Sequence, residues 1–512
     1  MKINERVKKL IKNWLEIEEL GTNNFIMVRD LDNAQVQMFK NEIWYRGNPS
    51  ELQQFYEQYD DGVNRTNFWA GIATTGINFR KVHTGLPALI IDKLTDIVVD
   101  DMNDIKIMAK DSKGESIENI QDTERWNIIA EEHDFKDTIL KEAVRESLNG
   151  DCALKMAFDP DVSEFPIIEV VPGKYIEYVY KRGRLQEIKF LFPKNVDGKI
   201  YAREEIYSKA GVEYKYYDEN GKDITIGNID QEEGLYPFEN NYKFLLAIPL
   251  MITKSKRYPG RGKGILEEKE GALDSFDEVW SQWMDALRDG RTKTYIPDDL
   301  IPRDPKTGVP LRPNTFDKRF IGTKSNKAEG ADNKIQVESP EIKSEQYLET
   351  YITALDLCLQ GIISPSTLGI DVKKLDNAEA QREKEKTTLY TRGKIIRKLE
   401  KLIPSLVELV LKTDDLVKNK GVKPYEVSVD FGEYANPSFE AQVETVGKAF
   451  VDGVMSIETA IEQLYGDTWT EDEKAEEVER LKTRDSVNEP QINDTDVPLL
   501  NEPIEEIEEE IE

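Results

Sequence analysis

Two apolar stripes of helical period constrain this chain more than any motif in it. In EGALDSFDEVWSQWMDALRDG, Leu273, Phe276, Val279, Trp280, Trp283, Met284 and Leu287 recur at three- and four-residue steps. That places them on one face of a helix, which Gly290 ends. Further along, Leu348, Ile352, Leu355, Leu359 and Ile362 step by four, three, four and three. The residues between, 291 to about 340, contain Pro, Gly and Lys with only short strand-like pieces. A compact module held between two helices brings their ends together, so the helices form an antiparallel pair. One pair buries only part of its apolar surface. The remainder is hidden either against the β-rich body of the same chain or against neighbouring copies in a closed ring. The stripes alone leave both arrangements open. Fully burying a Leu or Trp side chain contributes roughly 1.5–3 kcal/mol, so repetition around a ring would be a large stabilisation.

The segments around the pair have distinct periods. Residues 1 to about 60 read as helical and loop-rich. FRKVHTGLPALIIDKLTDIVVD predicts a helix starting near Thr84 and Pro87, and TERWNIIAEEHDFKDTILKEAVRESLNG predicts another that stops at Gly150. From 151 to about 252 the pattern becomes strand-like, with runs such as CALKMAF, PIIEVV and FLLAIPLMIT broken by turn signals at Arg182-Gly183 and Asn220-Gly221. This predicts an antiparallel α+β region. After the second stripe, SPSTLGIDVKKLD reads as a loop. A helix of unusual length then runs to Gly421, opened by an Asp376/Glu379 capping box and kinked or broken at Pro404. The strand-like YEVSVDFGEY leads to two short helices, with starts at Asn436-Pro437 and Ser456, and a last helix follows Thr470.

The chain has 512 residues, enough for several domains with cores of their own. Its net charge is −30, which argues against tight retention of nucleic acid, because that affinity rests on Lys and Arg neutralising phosphates. Ten acids and no Lys or Arg lie in residues 486–512, which read as a solvated, disordered tail. No apolar run reaches membrane-spanning length, and MKINERVKKLIKNWLEIEEL is amphipathic rather than a signal peptide. Cys152 and Cys358, far apart in sequence, are expected as free thiols in a reducing compartment.

Catalytic patterns are weak. His83 and His133 have no partner at a metal-ligand spacing. PGRGKG (259–264) fails the phosphate-loop pattern, since Lys263 is followed by Gly264, and reads as a flexible lead into the first striped helix. Acidic pairs such as Asp100-Asp101 and Asp298-Asp299 are expected in a chain with 99 acids. No nucleophile motif is present. The residues predict no enzyme and no cofactor or metal.

Four stretches, in their order, carry a resemblance. They are FRKVHTGLPALIIDKLTDIVV, GKGILEEKEGALDSFDEVWSQWMDALRDGRTKTYIP, SPSTLGID and FGEYANPSFEAQVETVGKAFVDGVMSIETAIEQLYG. Together they resemble the portal proteins of tailed phages, of the type found in siphophages of Gram-positive hosts, over roughly residues 70 to 480.

The resemblance implies an α+β portal fold with an α/β wing, a two-helix stem, a small α/β clip, a long kinked helix and a helical crown. The implied divisions are an N-terminal helix (1–24), a wing (25–264 with 377–421) and a stem (265–290 and 340–363). The clip (291–339), tunnel loop (364–376), long helix (377–421), crown (422–485) and acidic tail (486–512) complete the chain. Ser364, Pro365, Ser366, Thr367, Lys373 and Lys374 are implied to face DNA. Phe276, Val279, Trp280, Trp283, Leu287, Leu348, Ile352, Leu355 and Leu359 would pack the stem. Such proteins form rings, usually of twelve subunits, at one capsid vertex. They pass double-stranded DNA and meet the terminase large subunit, a head-completion or adaptor protein, and the major capsid and scaffolding proteins. The implied location is the virion, after assembly in the host cytoplasm and without a membrane. Another ring-forming virion part and a cytosolic enzyme acting on nucleotides are the rival readings.

Overall fold

In a computed structural model of the chain, the described residues are 34–59, 67–71, 79–110, 116–196, 199–218, 221–224, 237–297, 303–309, 320–324, 334–338, 342–370, 378–432, 439–465, 469 and 471–488. They form two compact units, residues 1–432 and 433–512. The fold is a mixture of helices and sheets. The predicted N-terminal helix and the acidic tail beyond Asn488 lie outside the described residues.

The first unit opens with helices α1 (Ala34–Arg46), α2 (Pro49–Tyr59) and α3 (Leu86–Val99). α3 starts one residue after Gly85, whose φ of 73° suits a residue without Cβ, and carries Pro87 in its first turn. Its long apolar sequence is buried on nearly all sides, including Ile90, Ile91, Leu94 and Val98. The helix predicted over 123–149 is interrupted. α4 (Ile120–Glu132) is capped by the Asn119 side chain, which accepts the Asp122 N–H. Asp134, at φ 47°, breaks the run, and a π-helical turn (Phe135–Leu140) leads into α5 (Lys141–Asn149). The interruption leaves both Trp126 and Phe135 buried in an edge-to-face pair with centroids 5.1 Å apart.

The strand-rich segment folds as antiparallel sheets. β3 (Cys152–Ala157), β4 (Ile167–Pro172) and β11 (Ala247–Leu250) form one, with β3 central. The larger sheet runs in the order β10 (Phe238–Glu239), β8 (Gly211–Tyr217), β7 (Lys199–Ser208), β6 (Arg184–Val196), β5 (Ile176–Lys181), with β9 (Asp223–Ile224) on β8. At the β5–β6 hairpin, Arg182 (φ 52°) and Gly183 (φ 74°) both adopt the left-handed conformation that matches strand twist. Every pairing in these two sheets is antiparallel. The segment from 151 to about 252 is thus antiparallel, as its strand-like runs and turn signals predict.

α6 (Glu270–Asp289) and α7 (Ser344–Leu359) flank a module in which β12 (Lys293–Pro297) lies between β13 (Phe320–Thr323), parallel to it, and β14 (Gln336–Glu338), antiparallel to it. The described residues of this module contain no helix and form a mixed three-stranded sheet.

α8 (Ala378–Val417) runs unbroken through Pro404. Proline removes one backbone donor there, and the Ser405 hydroxyl donates back to the Lys401 carbonyl (3.0 Å). The residues after α8 return to the first unit. β15 (Glu426–Ser428) pairs with β1 (Lys106–Lys110), which also pairs with β2 (Ser116–Glu118). Arg125 reinforces this return. It meets Asp414 (2.9 Å) and Asp415 (3.0 Å) and donates to the Leu411 carbonyl (2.8 Å). Residues 422–432, read from sequence as the start of the crown, are therefore continuous with the first unit.

The second unit contains α9 (Phe439–Val451), α10 (Ile457–Tyr465) and α11 (Glu471–Asn488). Gly453 (φ 68°) turns the chain between α9 and α10, and the Ser456 hydroxyl accepts the Thr459 N–H at the start of α10. Asn436 and Pro437 lie outside the described residues.

Candidate functional site

The pairing of α6 and α7 is made by aromatic rings. Phe276, Trp280 and Trp283 on α6 surround Tyr351 on α7, with centroids 5.0, 5.6 and 6.0 Å away. Trp283 also stacks on Tyr347, with planes 8° apart. Nearer the body, Leu273 and Phe276 join Ala354, Leu355, Cys358, Leu359, Ile362 and Ile363 in the main core. Burial pushes the Tyr351 hydroxyl up, and the Cys358 thiol up to about 12.

Of the residues predicted for this packing, Phe276, Leu355 and Leu359 are buried, while Val279, Trp280, Trp283 and Ile352 are half-buried. Leu287 is 41% exposed and Leu348 is 47% exposed. Tyr347 and Tyr351 were not in the predicted stripe. Their spacing from Leu355 is helical, but a phenol hides among polar residues when only aliphatic positions are counted. The two halves of the pair thus meet different fates. The half near the body packs on its own chain, and the half near the module packs on its helix partner with leucines left outside.

The other face of α6 is polar and buried. Asp274 accepts the Phe68 (2.7 Å) and Trp69 (3.3 Å) backbone N–H groups. Burial pushes its carboxyl up, against those two bonds. Asp277, 1% exposed, accepts the Thr84 N–H (3.0 Å), the Thr84 hydroxyl (2.9 Å) and the Trp69 indole N–H (3.3 Å), and lies 2.7 Å from His83 Nδ1. Ser281 receives the Val82 N–H (2.9 Å). These contacts clamp 67–71 and 79–84 onto α6. His83, one of two histidines weighed as a metal ligand, is enclosed between Trp44 and Trp69. His133 contacts the Pro166 carbonyl (2.9 Å). Among the described residues no cluster of His, Cys, Asp and Glu is able to hold a metal ion.

PGRGKG also acquires a structural role. Arg261 grips both Asp151 oxygens at 2.9 Å, and donates to the Ile176 (2.8 Å) and Gly173 (2.5 Å) carbonyls. A Cβ on Gly262 would run into the Gly150 carbonyl oxygen, and one on Gly264 would meet Asn41 and Asn149. The glycines serve close backbone approach to the protein's own chain rather than to a phosphate.

After α7, Ser364–Ile370 forms a tight loop. Ser364 is 2% exposed, its N–H donates to the Thr388 hydroxyl (2.9 Å), and its own hydroxyl lies 2.7 Å from that of Ser366. Thr367 and Thr388 hydroxyls are 3.0 Å apart. Pro365, Ser366 and Thr367 are half-buried. Of the residues implied to face DNA, Ser364 is enclosed by its own chain, and Lys373 and Lys374 lie outside the described residues.

Among the described residues no helix is long and apolar enough to cross a membrane. No protein-family model matches the sequence, and no curated protein matches it. A solved structure described as the virion of a native gene transfer agent (GTA) particle aligns over 92% of this chain and 99% of its own, at 10% identity and a TM-score of 0.38. A likeness at that level carries nothing about what this chain does.

Proposed function

We propose that the chain is the subunit of a phage portal, a ring at one capsid vertex through which double-stranded DNA passes during packaging and ejection. The observation that carries this reading is the antiparallel pair α6 and α7 with a small sheet inserted between them. Its outer half is held to its own chain chiefly by aromatic rings and leaves Leu287 and Leu348 uncovered. A surface of this kind is buried efficiently when each copy packs on the next around a closed ring. A charge of −30 suits a conduit better than a clamp, since DNA presents one negative charge per about 1.7 Å and a basic wall would hold it.

In this reading the module between the helices meets a head-completion or adaptor protein. The terminase large subunit docks on the ring, and major capsid and scaffolding proteins surround it. The portal acts in the virion without catalysing a reaction. The direct test is the mass in solution. A ring of twelve 58.9 kDa chains has a mass of about 0.7 MDa, with an axial opening visible in projection images. A compact monomer at high concentration, or oligomers with no opening wide enough for a duplex, would refute it. Lys373 and Lys374 are the proposed DNA contacts. Changing both to alanine is expected to alter packaging or DNA retention with ring mass unchanged, and unaltered packaging removes that role.

A further inference from the structure

One face of α8 runs against the charge of the chain. Lys386, Tyr390, Lys394, Arg397 and Lys401 step by four, four, three and four, so they share one side of the helix, and Lys398 flanks them. All of these are exposed, Tyr390 by 71%. The opposite side, with Thr388, Ile395, Leu399 and Ile403, is buried in the first unit and fixes the row's direction. Two other cations of this helix are taken up by carboxylates, Arg392 by Asp101 (2.8 Å) and Lys412 by Glu408 (2.6 Å). The row is not. Arg397 donates to the Gly393 carbonyl one turn earlier (2.9 Å), and Lys394, Lys398 and Lys401 meet no carboxylate among the described residues. From Lys386 to Lys401 the only acid is Glu400, at the edge of the row.

We infer that this face of α8 touches the phosphate backbone of double-stranded DNA, an assignment that rests on the portal reading for the presence of a duplex. The row extends about 22 Å at 1.5 Å per residue. A duplex presents one charge per about 1.7 Å, or about thirteen charges over that length. An extended polypeptide brings at most one side chain per about 3.3 Å, and it loses conformational entropy at each residue that is held. A duplex is stiff before it binds. The net charge of −30 repels either ligand at long range. At physiological salt, however, fields from exposed charges are largely screened beyond about 8 Å. The groups within reach of the ligand then decide, and on α8 these are the cations of the row with Glu400 alone. The Tyr390 hydroxyl adds a donor for a phosphate oxygen. A short row on an acidic chain gives a weak contact without sequence preference, along which DNA slides instead of being held.

The test uses the full chain and a short fluorescein-labelled duplex of mixed sequence, followed by anisotropy across a salt series. Each phosphate contact contributes about 0.9 to the slope of log affinity against log salt. The variant Lys394→Gln/Arg397→Gln/Lys401→Gln should therefore reduce that slope by about 2–3. Its far-ultraviolet circular dichroism should be unchanged, because these side chains are exposed and Gln suits a helix. Its mass by light scattering should equal the parent's. A control with equal charge change, Lys209→Gln/Lys222→Gln/Lys306→Gln, should keep the parent's slope. Absence of duplex binding by the parent, a slope unmoved in the first variant, or an equal change in the control would each overturn the proposal. So would a poly-glutamate peptide that displaces the duplex at equal charge, which makes the face a site for acidic polypeptide, or a changed mass, which makes it a contact between copies. A parent that stays monomeric yet binds duplex through this face refutes the ring and leaves the contact standing. A ring whose variant keeps the parent's slope does the reverse.

Discussion

Glu146 lies in α5 where burial, and then the nearby charge of Glu42, push its carboxyl up to about 7, with Lys174 pulling the other way. Because its folded-state value exceeds the ordinary 4.5, the native chain holds a proton that the unfolded chain releases first. Stability from this group is therefore greatest at low pH, falls as pH rises, and is fully lost once pH exceeds about 7. Replacing Glu146 by Gln should flatten that fall. The gain relative to the parent should grow to about 2–3 kcal/mol between about pH 5 and pH 8, measured by urea unfolding at each pH. A gain independent of pH would show that the charge is not the cause. Arg261 shows why such residues resist sequence reading. Its glycine-flanked setting was visible, but its carboxylate, Asp151, lies more than a hundred positions earlier. Nothing local distinguishes an arginine bound for a buried partner from one left in solvent. Ser364 illustrates the converse, since a Ser-Pro loop reads as surface until Thr388 on another element closes over it.

At the scale of elements, period was informative and partners were not. The three- and four-residue steps of α6 and α7 were legible because a helix repeats its buried face locally. The face of α6 that carries Asp274, Asp277 and Ser281 was not, since buried carboxylates look like surface charge unless their donors are known. Likewise, β15 is three residues long and finds β1 over three hundred positions earlier, a pairing no local pattern encodes. Asp277 gives the prediction that belongs to this scale. Asp277→Ala leaves the Thr84 and Trp69 donors and His83 Nδ1 facing no acceptor. It should cost about 3 kcal/mol, seen in thermal unfolding by circular dichroism. Asp277→Asn, which keeps one acceptor oxygen, should cost less. Equal losses would mean that the negative charge or the second oxygen, which Asn lacks, rather than the side chain's volume, anchors 67–71 and 79–84 to α6.

For the whole molecule, the decisive question is where the outer half of the α6–α7 pair hides its leucines. Leu287 and Leu348 are each more than two-fifths exposed in the single chain, so placing a charge there should barely disturb its folding, within about 0.5 kcal/mol. In a ring the same positions would be covered by neighbours, and an unpaired buried carboxylate costs several kcal/mol at every interface. The double variant Leu287→Asp/Leu348→Asp should therefore separate assembly from folding. Light scattering should give the 58.9 kDa monomer in place of the ring proposed for the parent, with the same far-ultraviolet circular dichroism. Rings that persist in the variant would mean that copies associate elsewhere and that these leucines face solvent in the assembly. A variant that unfolds would mean that the two leucines are needed within one chain. If the variant is a folded monomer, the seam that carries Leu287 and Leu348 is an intersubunit one.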